Sequence, residues 1–222
     1  MPATLRQASG IICADIFNGK YLDAVFGTGI PVVLVESYWD LYRFNQPHSV
    51  IMMENDENMS ILTGELLMRG HRKIAFVGDP WYSRGFYERY RGYVSAHIRH
   101  GILPNPEFCL ADIGQWIEEV HIRLPSEPTA YVCANDSIGI AVIQGLLKRG
   151  VQIPREVEVV GFDGLPEGNI IMPALTTVNT LKHELGERAC KALIDRINNP
   201  DAVTEVIYLP TSIVYRGSTR NE

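Results

Sequence analysis

Residues 129–163 read TAYVCANDSIGIAVIQGLLKRGVQIPREVEVVGFD, and this stretch decides the fold. Its two ends, Thr129 to Cys133 and Glu158 to Phe162, are short apolar runs rich in Val, as buried strands are. Between them, Ser137 to Arg149 carries its apolar residues at the helical period. The trio Asn135-Asp136-Ser137 precedes that helix, where one of its side chains can cap it, and Gly150 follows, where a left-handed residue can close it. Strand, helix and strand in this order form a βαβ unit, the building block of a parallel sheet.

The same alternation extends outward in both directions. Further strands are expected at Gly10 to Ala14, Pro31 to Val35, Ser49 to Met53, Lys73 to Val77 and Ile213 to Tyr215. Helices are expected near Gly19 to Gly27, Asn55 to Arg69, Tyr87 to His100, Ile113 to Arg123 and Lys182 to Asn198. Gly70 and Gly101 follow two of these helices as Gly150 follows its own. The whole therefore reads as an α/β protein with mostly parallel sheets covered on both faces by helices.

Composition narrows the function. The chain has 222 residues, 46% of them hydrophobic and 21% charged, which suits a globular domain with a substantial core. No apolar run reaches the roughly 20 residues a membrane span needs, and no basic-then-apolar leader opens the sequence. A net charge of -6 argues against a nucleic-acid surface on this chain, because phosphate binding needs clustered Lys and Arg. The densest basic cluster, Arg69-Gly70-His71-Arg72-Lys73, falls at an expected helix end, where cations complement the dipole. Cys13, Cys109, Cys133 and Cys190 are scattered without a Cys-x-x-Cys pair, so reduced thiols are expected and neither zinc nor a redox motif is suggested. His97 and His100 share a helical face but lack a third ligand, and in that last turn they are expected to be solvated. No cofactor or metal is expected.

Several stretches in order resemble the ligand-sensing domain of the lactose-repressor family of transcription regulators. They are Gly70-His71-Arg72-Lys73-Ile74-Ala75-Phe76-Val77-Gly78, Arg89-Tyr90-Arg91-Gly92-Tyr93, Thr129 to Asp136, Ile153 to Asp163, and Pro173-Ala174-Leu175-Thr176-Thr177-Val178. Leu209-Pro210-Thr211 and Arg216-Gly217-Ser218 complete the series. The resemblance implies a two-lobed, periplasmic-binding-protein-like fold with three crossovers. One lobe would hold residues 1–54 and 180–207, the other 55–179 and 208–222. It also implies a small polar effector, a sugar or related metabolite, bound in a cleft between lobes, and a cytoplasmic homodimer that reaches DNA through an N-terminal headpiece. In the family that headpiece and the first strand, helix and strand of the N-terminal lobe precede a segment like Ala8-Ser9-Gly10-Ile11-Ile12. Here the segment stands almost at the start, so the chain is expected to lack both.

The resemblance also points to site residues. Arg89, in the pattern Arg-x-x-Gly-aromatic, would offer a planar fork to hydroxyls or a carboxylate. Asp163 would accept from hydroxyls at a strand end, although a residue before Gly164 can also be a plain turn residue. Asn135 can donate and accept. Trp116 reads equally as a ring against the ligand or as core. Glu36 would reach across from the first lobe. Asp136 reads first as a helix cap and second as a ligand contact. The aromatic-rich segment Trp81 to Tyr87 reads as a loop forming one wall of the cleft, with Ser83 and Phe86 as contacts. Arg91, beside Arg89, should point elsewhere, to a surface acid. Two other functions fit the same fold: an exported sugar-binding protein serving a transporter, and a glycoside-cleaving enzyme using Asp136 and Asp163 as its carboxylates.

Overall fold

A computed structural model describes residues 7–36, 40, 43–111, 124 and 126–220. In chain order the elements are β1 (Ile11–Ala14), α1 (Gly19–Phe26), β2 (Val32–Val35), β3 (Ser49–Met53), α2 (Glu57–Met68), β4 (Ile74–Val77), α3 (Arg84–Arg99) and β5 (Cys109–Leu110). They continue with β6 (Ala130–Cys133), α4 (Asp136–Lys148), β7 (Glu158–Asp163), α5 (Pro166–Ile170), β8 (Thr176–Asn179), α6 (Lys182–Asn198), β9 (Glu205–Leu209) and β10 (Ser212–Val214). Two compact units result: residues 1–54, 81–85 and 181–210 form the first, and residues 55–80, 86–180 and 211–222 form the second. Each has its own sheet, in the orders β1-β2-β3-β9 and β10-β8-β7-β6-β4-β5. Every strand pair is parallel except β10 with β8. The expected α/β class with mostly parallel, helix-covered sheets is what forms.

The first unit shows how the period of two builds a double-sided core. Successive side chains of a strand point to opposite faces. Val32 and Leu34 of β2, with Val50 and Met52 of β3, join Leu22, Val25 and Phe26 of α1 on one face. Val33, Val35 and Ile51 join Ala189 and Ala192 of α6 on the other. In the second unit β4, β6 and β7 are buried almost throughout, in one core with Leu62 and Leu66 of α2, Tyr93 of α3 and Val142 and Ile143 of α4. The three helix-closing glycines, Gly70, Gly101 and Gly150, all have positive φ.

Three strands lie outside the sequence reading, each for a physical reason. β5 has two residues, and β8 (Thr176-Thr177-Val178-Asn179) is too polar to stand out as an apolar run. β9 is a half-exposed strand, with only intermediate burial at Val206, Ile207 and Leu209. The last strand begins one residue earlier than expected and ends at Val214. The segment read as a loop up to Tyr87 turns helical at Arg84, immediately after Ser83. His97 is buried, not solvated: its Nδ1 lies 2.9 Å from the Tyr93 carbonyl, and its ring packs 4.4 Å from the Tyr93 ring. The expected helix Ile113 to Arg123 lies outside the described residues. Among the described residues no helix is long and apolar enough to cross a membrane.

The basic cluster after α2 does more than face solvent. Arg72 does cap the helix end, donating to the carbonyl of Leu67 at 2.8 Å. Arg69 and His71, however, turn toward Glu158, the first residue of β7, whose side chain is 0% exposed. Arg220 Nε donates to the same carboxylate at 2.6 Å, Arg69 Nη2 stands 3.1 Å away and His71 Nε2 3.0 Å. Burial alone would raise the Glu158 carboxyl. The hydrogen bonds from His71 and Arg220 and the charge of Arg69 outweigh it and hold the group at about 2. A folded-state value below the unfolded one adds stability above the ordinary carboxylate range and loses it as pH falls toward the folded value. Thermal unfolding is therefore expected to show stability falling steadily between about pH 4.5 and about pH 2. Glu158→Gln should lower stability near neutral pH by about 3 kcal/mol, because it leaves the nearly buried Arg69 without its counter-charge, and should flatten that acid limb.

Candidate functional site

Strands β4, β6 and β7 run parallel, so their carboxyl ends share one edge of the second unit's sheet. That edge is where ligands bind in open α/β sheets, because the chain there leaves the strands in turns that can present polar groups. Arg89 of α3 reaches it. The reason lies one helical turn away: a Cβ on Gly92 would collide with the Asp56 carbonyl. Glycine at that position lets α3 lie directly against the backbone of residues 55 and 56, and Arg89, at i-3, shares the same helical face. This is a physical basis for the Arg-x-x-Gly spacing.

The Arg89 side chain is held on every side. Its Nε donates to Asn55 Oδ1 at 2.9 Å, and Nη1 donates to the Ala134 carbonyl at 2.8 Å, just beyond β6. Nη2 stands 3.4 Å from Asp163 Oδ1. The guanidinium carbon lies 3.8 Å from the centroid of the Phe162 ring and 5.5 Å from that of Phe86. Asn55 is itself oriented by Glu88, a buried neighbour whose Oε2 accepts from Asn55 Nδ2 at 3.2 Å. The side chain of Arg89 is 7% exposed and that of Asp163 is 28% exposed. The pair thus places an immobilised donor fork beside a partly solvated acceptor, with aromatic surface under the fork. At 3.4 Å the ion pair is longer than a good charge-assisted bond.

The other expected site residues fall differently. Asn135 sits at the end of β6 and caps α4, its Oδ1 accepting from Ile138 N at 2.9 Å. The cap expected of Asp136 is therefore made by Asn135. Asp136 is 0% exposed, which corrects its reading as a ligand contact. Its Oδ1 accepts from the Thr177 hydroxyl at 2.5 Å and its Oδ2 from Leu165 N at 2.7 Å. Both of its oxygens are thus engaged within the second unit. Phe86 is half-buried over Arg89. Arg91 turns away, as expected, to the exposed acid Asp56. Glu36 and Ser83 belong to the first unit. Glu36 follows β2 with φ +49°, and its Oε1 accepts from Met53 N at 2.8 Å. Ser83 is buried at the start of α3. Trp116 lies outside the described residues.

Asn55, Glu88, Phe162 and the Ala134 carbonyl were not legible as site groups. None is signalled by spacing, although a buried acid one residue from the site arginine is recognisable once α3 is placed. Among the described residues no cluster of three His, Cys, Asp or Glu side chains could hold a metal ion.

The fold agrees with comparisons to known proteins. The profile of the periplasmic binding protein-like domain matches residues 63–219, and the chain belongs to that family. The HTH-type transcriptional repressor PurR of Aliivibrio fischeri is 26% identical over 218 residues, covering 95% of this chain and 64% of that protein. The arabinose metabolism transcriptional repressor of Geobacillus stearothermophilus is 30% identical over 181 residues, covering 77% of this chain and 49% of that protein. The chain thus spans less than two thirds of the length of these curated relatives. A LacI family transcriptional regulator from Enterococcus faecium, solved with bound ribose, shares the fold at a TM-score of 0.79 and 24% identity, covering 97% of this chain and 81% of that one.

The Gly92 contact gives a direct test. Gly92→Ala should push α3 off the residue 55–56 backbone and lower stability by about 1–3 kcal/mol, the usual cost of overpacking. Guanidinium unfolding of the purified chain measures it.

Proposed function

We propose that the chain is the effector-binding domain of a transcription regulator and takes a small polar metabolite, a sugar, at the carboxyl edge of the second unit's sheet. The observation that carries this reading is the Arg89–Asp163 pair: a rigid guanidinium fork 3.4 Å from a partly exposed carboxylate, backed by Phe162. Adjacent sugar hydroxyls need a donor and an acceptor side by side, and their C–H faces pack on aromatic rings. Arg89 and Asp163 are the primary contacts. Phe86 adds apolar surface, and the amide nitrogen of Asn135 supplies a donor, since its oxygen is engaged at the helix cap. Glu36 and Ser83, which belong to the first unit, and Trp116 are further candidates that rest on the family resemblance alone.

The curated relatives named above are transcriptional repressors, which supports regulation over transport. One relative is a repressor of arabinose metabolism and one structural neighbour holds ribose, which supports a sugar as effector. In this reading the protein acts in the cytoplasm as a homodimer, and DNA is contacted by a separate headpiece. The ligand regulates only to the extent that it binds one conformational state more tightly than another.

Isothermal titration of the chain with D-ribose, L-arabinose and cellobiose tests the reading. At least one should give a saturable signal, and Arg89→Lys should weaken it by about 10- to 100-fold, the value of a lost charge-assisted hydrogen bond or two. Absence of saturable heat with every sugar, or an Arg89→Lys variant that binds like the parent, would count decisively against it.

A further inference from the structure

Asp163 has a backbone φ of +111°, a conformation that non-glycine residues rarely adopt and that persists only where the surroundings enforce it. The enforcement comes from below. Asp136 Oδ2 accepts from Leu165 N, and Asp136 Oδ1 accepts from the Thr177 hydroxyl. Thr177 Oγ1 in turn accepts from Gly164 N at 3.4 Å. The two peptide N–H groups that follow Asp163 are therefore both tied to one buried carboxylate, the first through a threonine relay and the second directly. On the other side, the Asp163 carbonyl accepts from the Thr180 hydroxyl at 3.0 Å. Sequence makes room for this grip: a Cβ on Gly161 would collide with Asp136 Oδ1, so the carboxylate fits beneath β7 only where residue 161 has no side chain.

We propose that Asp136 is a positioning residue for the effector site: ionised, it grips the turn Asp163–Leu165 and keeps the Asp163 carboxylate facing Arg89, and when protonated it slackens that grip and weakens effector binding. The inference rests on the reading of Arg89 and Asp163 as the effector contacts. An ionised carboxylate accepts at both oxygens, whereas a protonated one must use one oxygen as a donor, and charge-assisted bonds are roughly twice as strong as neutral ones. The relay would then reverse at Thr177, and the bond to Leu165 would lose its charge.

The group is placed to make this switch near physiological pH. Burial raises the Asp136 carboxyl to about 6, against the hydrogen bonds from Thr177 and Leu165. The charge of Asp163 at the end of β7 raises it further, while Arg216 beyond β10 opposes. Among the described residues Cys133 on β6 also faces it, and its thiol is held up by burial and by the Asp136 charge.

Site-resolved amide exchange on the whole chain decides the matter. After correction for intrinsic rates, Gly164 and Leu165 should lose about tenfold protection between about pH 7.5 and about pH 5, the worth of a weakened hydrogen bond. Val33 and Ile51, in the first unit's sheet, should not change. Asp136→Asn should show low protection at both pH values, and Thr177→Val should lose it at Gly164 while keeping it at Leu165. Titration with D-ribose and cellobiose is run alongside, and the affinity of the parent should drop on acidification while that of Asp136→Asn stays flat. Leu165 protection that is independent of pH and unaltered by Asp136→Asn overturns the proposal, as does sugar affinity that ignores pH while the exchange shifts. If neither sugar binds at any pH but the exchange follows the expected pattern, the grip on the turn is supported and the sugar reading alone falls.

Discussion

A buried guanidinium is the constraint to which the second unit's strand ends conform. Removing Arg89 from water costs several kcal/mol unless its donors are matched, and the matching partners come from separate parts of the chain. Asn55 follows β3, Ala134 follows β6, Asp163 ends β7 and Phe162 stacks below. These elements can meet only if the strands are parallel and in register, so satisfying the charge and assembling the sheet edge are the same event. Glycine at 92 is the local concession that brings α3 close enough for this to happen.

The two ends of β7 show how similar chemistry yields different outcomes. At its start Glu158 is 0% exposed and is held in its charged form by hydrogen bonds from His71 and Arg220 and by the charge of Arg69. At its end Asp163 shares one cation at a longer distance and remains partly open to solvent. The first arrangement ties Arg220 to the start of β7. The second is longer and more exposed, so the same pairing of carboxylate and cation is a sealed lock at one end of the strand and a solvent-facing pair at the other.

The fold was largely legible because its signals are local. Short apolar runs marked β2, β3, β4, β6 and β7, and α6 spans Lys182–Asn198 as its helical period indicates. β8 and β9 escaped because their identity is conferred by partners: Thr177 of β8 is buried by Asp136 and β7, and β9 is ordered by pairing with β3. In the site, Arg89 and Asp163 came from pattern and resemblance. The exchange of roles between Asn135 and Asp136 did not, since both can cap a helix and only the depth of the pocket under Gly161 selects which one does. Asn55 and Glu88 support Arg89 through contacts more than 30 residues apart in sequence, which no periodicity reports.

The pairing of β3 with β9 joins residues 49–53 to residues 205–209. During synthesis on the ribosome, β3 is therefore made long before its neighbour exists, and the first unit's sheet has an open edge while nearly everything between is translated. Closing so long a loop is entropically slow. Most of the second unit, by contrast, lies in the intervening chain and can gather its core while the ribosome is still working. The order of assembly follows: most of the unit that carries Arg89 and Asp163 can gather before β9 closes the first unit's sheet, and β10 joins the second unit's sheet after that.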